Sequence, residues 1–254
     1  MIENMIVAFA VCGAVFYLYR HTNVHSRLSH SFLPFLVPAL ICLTAASALG
    51  HTLYIQPTRF MADEGKSIPF FFCYGHFIPV ADGIRGKKLS RVQVIAPDGK
   101  ARTVDIMDSQ GLHSHMVEYN APGIWGLTAE TTPGYYTFFK DTNGKEQHAV
   151  KSIDKIKNRP GTVITSYYSK QYAKTYIKCG IPKGPFPANL SLPLELIPAT
   201  DIFDLKSGDT LELQVVLDGK PYTGEGTWDA TYMGFSTLTL QIDNERKRPE
   251  SKSH

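Results

Sequence analysis

The sequence predicts an all-β protein behind an apolar N-terminal leader, and three observations support this fold class. The chain of 254 residues contains 20 Gly, 16 Pro, 13 Tyr and 14 Phe, a composition typical of a folded protein rich in strands and turns. From His51 onward, short segments with β-type alternation or with β-branched and aromatic residues recur along the chain. Turn-forming Gly, Pro, Asn and Asp residues separate these segments.

The predicted strands lie entirely in the part of the chain that follows the leader. They cover residues 52–56, 67–74, 91–96, 103–108, 113–119, 123–130, 134–141, 163–166, 194–198, 210–217 and 226–232. Turn sequences separate them at 97–99, 121–123, 132–134, 141–144 and 218–221. One segment, 169–179, also permits a helix because Tyr172 and Tyr176 are four positions apart.

Residues 1–50 predict a membrane-directed leader with two apolar runs, 5–19 and 32–50. The second run has the parts of a signal peptide, with small residues at its end and plausible cleavage after Ala48 or Gly50. The first run is short for a bilayer helix, which needs about 20 residues. It could still be a short transmembrane helix that anchors the protein, with 32–50 as a second helix, or translation could start later and omit it.

The exported part predicts two β-sandwich domains. Residues 51–186 form the first domain, which we expect to be immunoglobulin-like because 131–139 resembles the final-strand entry of such sandwiches. Gly and Pro near its end suit a linker. Residues 187–242 form a second sandwich that is predicted to be incomplete, since too few strands precede the charged tail at 243–254. That basic tail is predicted to be disordered.

Histidines provide the best candidate site, and the predicted metal ligands are His51, His76, His113, His115 and Asp82. Positions i and i+2 of a strand share a face, so His113 and His115 would present two imidazoles side by side. Imidazole is a good ligand for Ni, Co, Cu and Zn, and His51 or His76 and the oxygen of Asp82 could complete the site. The alternative is that these are solvated or core histidines with no shared role.

The new N-terminus would add a second possibility if cleavage falls after Gly50. His51 would then offer both its α-amine and its ring, a chelating pair that favours Cu(II) or Ni(II).

Composition and motifs exclude several other functions. The net charge is only +3 and the basic residues are scattered, so nothing predicts nucleic-acid binding. The sequence has no paired catalytic carboxylates and no nucleophile, phosphate-loop or His-Glu-x-x-His motif, so we expect no catalytic residues and no enzyme activity. Cys73 and Cys179 remain after the leader, and their distance in sequence leaves a disulfide between them open.

Several sequence segments together resemble a bacterial exported family known as domain of unknown function 4198. The resemblance rests on 51–57 after the leader, 73–79 with Asp82 following, 133–136, and 192–198 continuing through 206–210 and 217–221. Some members of the family accompany nickel and cobalt uptake transporters. The resemblance implies a periplasmic, immunoglobulin-like protein that binds a transition metal or passes it to a membrane partner. Relatives would continue past 234–236 with further strands, where this chain has its basic tail.

These observations predict a non-catalytic, metal-binding accessory protein for nickel or cobalt uptake. Nickel or cobalt is the expected metal, with copper or zinc as alternatives. We expect it to be periplasmic or otherwise extracytoplasmic, secreted or anchored to the inner membrane through its N-terminal apolar segment. Its expected partner is a nickel or cobalt membrane transporter. Two alternatives stay open: a structural or partner-binding sandwich without metal, and a copper enzyme that uses an N-terminal histidine.

Overall fold

The computed structural model describes residues 2–11, 14–20, 51–75, 80, 82–156, 161–206, 208–224 and 226–232. These residues form strands and two short 3-10 helices, Gly86–Lys88 and Ile153–Lys155. The strands are β1 (Ile2–Val11), β2 (Ala14–Arg20), β3 (Thr52–Pro57), β4 (Met61–Ala62), β5 (Lys66–Gly75), β6 (Ile84–Arg85), β7 (Leu89–Ile95), β8 (Ala101–Thr103), β9 (Gln110–Gly111), β10 (Ser114–Tyr119), β11 (Gly123–Thr131), β12 (Gly134–Lys140), β13 (Glu146–Ala149), β14 (Val163–Cys179), β15 (Leu194–Pro198), β16 (Leu213–Leu217), β17 (Lys220–Pro221) and β18 (Thr227–Tyr232). The predicted all-β class is confirmed.

The strands assemble into one large sheet and several small ones. The large sheet has the order β18–β2–β1–β14–β11–β7–β8, with β12 and β4 also pairing with β14, and β13 pairing with β12. Two three-stranded sheets have the orders β10–β5–β3 and β15–β16–β17, and β6 pairs with β9. Most of these pairings are antiparallel, which is what short strands joined by tight turns produce.

The main core lies between the large sheet and the β10–β5–β3 sheet, as in a β-sandwich. The β10–β5–β3 sheet contributes fully buried side chains such as Leu53 and Phe72, and the large sheet contributes Leu127 and Ile177. Strict alternation sends these residues to the inner face because successive side chains of a strand point to opposite sides. The β10–β5–β3 sheet therefore packs directly on β7, β11 and β14.

A second apolar cluster covers the opposite face of the large sheet. Tyr172 and Tyr176 of β14 and Ile124 of β11 pack there against Leu194 and Leu196 of β15. The predicted second domain therefore shares an apolar cluster with β11 and β14. The division of the chain into domains at 186 stays a prediction.

The helix that the sequence permitted over 169–179 is wrong, because these residues belong to strand β14. This strand continues for 17 residues, Val163–Cys179, and pairs with both β11 and β12. The four-residue spacing of Tyr172 and Tyr176 fits a strand as well as a helix, since any even spacing keeps two strand residues on one face. Both faces of β14 are buried along its second half, so its apolar residues show no clean alternation that would have identified the strand.

The first apolar run of the leader also differs from the helix that its sequence allowed. Where we considered a short transmembrane helix over 5–19, the structure has β1 and β2, an antiparallel pair whose first strand lies parallel to β14. Their Ile, Val, Phe and Tyr residues favour strands, and apolar runs of this length do not separate strand from helix. No helix among the described residues is long and apolar enough to cross a membrane. Residues 21–50 lie outside the described residues, so the signal peptide stays a prediction.

Other local predictions have mixed outcomes. The strand predicted over 103–108 is wrong, because β8 ends at Thr103. The turn predicted at 218–221 is confirmed: Asp218 and Gly219 both have positive φ, at 49° and 76°, and link β16 to β17. Cys73 and Cys179 are both buried and are not joined by a disulfide.

Candidate functional site

His51 and Asp82 meet at one end of the sandwich. His51 immediately precedes β3, and its Nε2 lies 3.7 Å from Oδ2 of Asp82. Both side chains are accessible, with exposed fractions of 48% and 77%. The His51 ring stacks on Tyr74 of β5, with ring centroids 5.4 Å apart and an interplanar angle of 14°. The structure thus brings together two of the five predicted metal ligands, and a stacked tyrosine holds one of them.

Asp82 is held beside the end of β5, close to His51. The Tyr74 backbone N–H donates to the Asp82 carbonyl at 2.9 Å, which fixes Asp82 next to the strand. Gly75, the last residue of β5, pairs with Thr52, the neighbour of His51. His76, another predicted ligand, directly follows Gly75 in sequence but lies outside the described residues.

A buried glutamine of the opposite sheet holds the backbone at His51. The Gln171 side chain donates from Nε2 to the His51 carbonyl at 2.9 Å and accepts at Oε1 from the Leu53 N–H at 2.7 Å. Burial raises the pKa of Tyr74, and the Gln171 side chain partly opposes this shift. Gln171 therefore connects β14 to β3 and β5 at the candidate site. Sequence analysis missed it, because no motif marks a glutamine that acts across two sheets.

Tyr74, which stacks on His51, lies near two other tyrosines, Tyr136 and Tyr167. Burial raises the pKa of Tyr74 and raises that of Tyr167 to about 12. Tyr136 lies next to Tyr167, with ring centroids 6.0 Å apart, and stacks on His148 at 5.4 Å. These phenols therefore stay protonated near neutral pH and offer neutral hydroxyls rather than phenolate ligands.

A lysine places a positive charge next to Tyr74. The Lys88 ammonium lies 5.2 Å from the centroid of the Tyr74 ring, within the range of a cation–π contact.

His113 and His115 lie on the other edge of the β10–β5–β3 sheet and make contacts of their own. The His113 Nε2 lies 2.9 Å from the Ser109 carbonyl, which can only accept, so this nitrogen donates. The His115 Nε2 lies 3.4 Å from Nη1 of Arg102, which can only donate, so this nitrogen accepts. Burial and the Arg102 charge both lower the pKa of His115. A nearby guanidinium also opposes binding of a metal cation at His115.

The two histidine groups are too far apart to share one ion. Strands β10 and β3 flank β5, so they are roughly 10 Å apart across the sheet. Ser114 and Gln56 both pair with Phe71, which places His113 level with Ile55, about 13 Å along β3 from His51. Metal–nitrogen bonds are only about 2.0–2.1 Å long, so one ion cannot reach both imidazoles.

The described residues place only part of the predicted ligand set in one location. Within these ranges, no group of three or more His, Cys, Asp and Glu side chains could hold a metal ion. His51 and Asp82 supply one nitrogen and one oxygen donor, a combination that suits a divalent transition metal when further donors are added. The ligand set predicted from the sequence stays a prediction. His51 and Asp82 are the two of its members that the structure places next to each other.

The comparisons with known proteins bear on the same region. A family model described as "Domain of unknown function (DUF4198)" matches residues 48–252. The match spans most of the chain and contains both histidine groups and Asp82. No curated protein matches the chain.

Proposed function

The chain belongs to the DUF4198 family, and from this premise we propose that it is an extracytoplasmic, non-catalytic protein that binds nickel or cobalt as cargo for a membrane transporter. The observation that carries the proposal is the meeting of His51 and Asp82, 3.7 Å apart and open to solvent, at the end of the sandwich. An accessory protein must both take up and release its cargo, and an accessible site on a rigid sheet edge suits exchange.

His51 and Asp82 would be the first two ligands of this site. Imidazole and carboxylate both bind Ni²⁺ and Co²⁺. His76 would be the third ligand, because it follows Gly75, the residue paired with Thr52. If the leader is cleaved after Gly50, the α-amine of His51 would add another nitrogen. His113 and His115 are not part of this site, for the reasons of distance and charge given above.

The location of the protein follows from the leader and is part of the proposal. An apolar N-terminal segment would direct the chain across the inner membrane, and the exported domain would then meet its transporter in the periplasm. The acceptor would be a membrane protein that offers a tighter or more buried site for the same ion.

Thermal unfolding with and without metal tests this function. A ligand that binds only the folded state adds about 2.7 kcal/mol of stability at 100 times its Kd, which corresponds to roughly 5–10 °C in Tm for a domain of about 200 residues. We expect nickel and cobalt to raise the Tm of the exported protein, and magnesium, which prefers oxygen ligands, to leave it unchanged. A Tm that no transition metal changes would favour the alternative of a structural or partner-binding sandwich.

A further inference from the structure

Gln171 lies where one edge of β14 changes partners, while on the other edge it is paired with Ile6 of β1. Strand β11 pairs with β14 from Tyr172 onward, and β12 pairs with it up to Ser169. The Gln171 N–H donates instead to the Thr131 hydroxyl at 2.9 Å. Its backbone is therefore fixed at a point where the strand changes partners, and its side chain is fixed with it.

The Gln171 side chain is buried, with an exposed fraction of 6%, and reaches across the sandwich. Its amide group donates to the carbonyl of His51 and accepts from the N–H of Leu53. The amide group has both a donor and an acceptor. It therefore pairs with the backbone of β3 in the way that a neighbouring strand would.

We propose that Gln171 is the positioning residue of the His51 site: its side chain fixes the backbone of His51 and of Leu53. This inference rests on the proposed function, since it assigns a role in metal binding to a residue that cannot reach the metal itself. Partners that orient a ligand typically change metal affinity by about 10–100-fold when they are removed.

The side-chain contacts of Gln171 use atoms that follow the leader. They involve the carbonyl of His51 and the N–H of Leu53, and both atoms belong to peptide bonds on the C-terminal side of Gly50. The backbone of Gln171 also pairs with Ile6 of β1, so cleavage after Gly50 would keep the side-chain partners and remove this strand partner.

The test uses the change Gln171→Glu, which keeps an acceptor for Leu53 but removes the donor to His51. Gln56→Glu is the matched control, because Gln56 lies on β3, the strand that follows His51, is also buried, and donates from its amide to the Pro57 carbonyl at 2.8 Å. Nickel affinity is measured by isothermal titration of the full exported protein. We expect Gln171→Glu to weaken nickel binding at least about tenfold and Gln56→Glu to change it less than about twofold.

A second variant and a second measurement distinguish weaker metal binding from a loss of folding. Gln171→Met has a similar length and adds no buried charge, and it should also weaken binding about tenfold. The absorption spectrum of bound cobalt should shift in both Gln171 variants at saturating metal, because the geometry of the ligands changes.

The outcomes separate the two proposals. If the unsubstituted protein binds no nickel or cobalt, the proposed function fails. If it binds metal and both Gln171 variants bind equally well with an unchanged cobalt spectrum, only the role of Gln171 is overturned. An equal loss in Gln171→Glu and Gln56→Glu would likewise overturn that role, since it would show a general effect of a buried charge.

Discussion

At the scale of single residues, the histidines show what sequence spacing can and cannot predict. The i, i+2 spacing of His113 and His115 predicted a shared face of one strand, but β10 begins at Ser114, so His113 lies just before it. The spacing gave no sign of Arg102, which approaches His115 from β8 of the large sheet. The meeting of His51 and Asp82 was predicted as part of a larger ligand set, and it depends on a hydrogen bond that holds Asp82 beside the end of β5. Contacts between distant strands need the fold before they can be identified.

The lowered pKa of His115 makes a prediction about acid stability. Burial and Arg102 favour neutral His115 in the folded protein, whereas the unfolded chain takes up a proton near the ordinary value of 6.5. The contribution of His115 to stability is therefore complete above that value and is lost as the pH falls toward and through the lowered pKa. We expect His115→Gln to lose less stability than the unsubstituted protein between about pH 7 and pH 5.

Urea unfolding at a series of pH values measures this difference. His113→Gln is the control because its ring makes a single contact with the Ser109 carbonyl. Parallel stability curves for the unsubstituted protein and His115→Gln would contradict the assignment of His115 as a neutral acceptor for Arg102.

At the scale of elements, β14 shows why some strands are hard to predict. Strands with one exposed face, such as β10, alternate in burial and were found close to their observed bounds. Strand β14 is covered on both faces along its second half, so its apolar and polar residues follow the packing of two layers rather than one. The partner layers are formed by β3, β5 and β15, which lie far away in sequence. A local pattern therefore could not separate helix from strand here.

A buried ion pair joins β14 to β15. The Lys174 ammonium donates to Glu195 Oε1 at 2.7 Å, to the Ala188 carbonyl at 2.9 Å and to the Tyr176 hydroxyl at 2.9 Å. Both charged side chains are almost fully buried, and burial lowers the pKa of Lys174 while Glu195 opposes this shift. Glu195 also accepts from the backbone N–H of Leu190 at 2.6 Å. This pair fixes the position of β15 on the outer face of the large sheet.

Removing the lysine should therefore be costly. We expect Lys174→Met to lower the free energy of unfolding by about 3–5 kcal/mol, because it leaves the Glu195 carboxylate buried without its cation. The double variant Lys174→Met/Glu195→Gln removes the charge as well and should recover part of that loss. Urea unfolding of the three proteins measures it. A loss below about 1 kcal/mol for Lys174→Met would show that Glu195 finds water or another partner.

At the scale of the whole molecule, β14 links the two apolar clusters and also carries Gln171. The inner cluster holds the β10–β5–β3 sheet on the large sheet, and the outer cluster holds β15 and β16 on its other face. The His51 site lies at one end of the inner layer, where β3 begins and β5 ends. His51 and Asp82 therefore lie beside strands that are anchored by the main core, and the all-β class of these strands was predictable from the turn and strand pattern of the sequence.

The arrangement makes a clear prediction about which histidines bind metal. His51 and Asp82 lie together, whereas His113 is roughly 17 Å from His51 by strand geometry. The central claim is that one site at His51, and not a cluster of all the predicted histidines, binds nickel or cobalt.

The most direct test is isothermal titration of the purified protein with nickel and cobalt, in parallel with His51→Ala, Asp82→Asn and His113→Ala. We expect the unsubstituted protein to bind one ion with a Kd below about 100 μM. Binding should be lost in His51→Ala, weakened in Asp82→Asn and unchanged in His113→Ala. Absence of binding by the unsubstituted protein, or binding that survives His51→Ala and is lost in His113→Ala, would contradict the account.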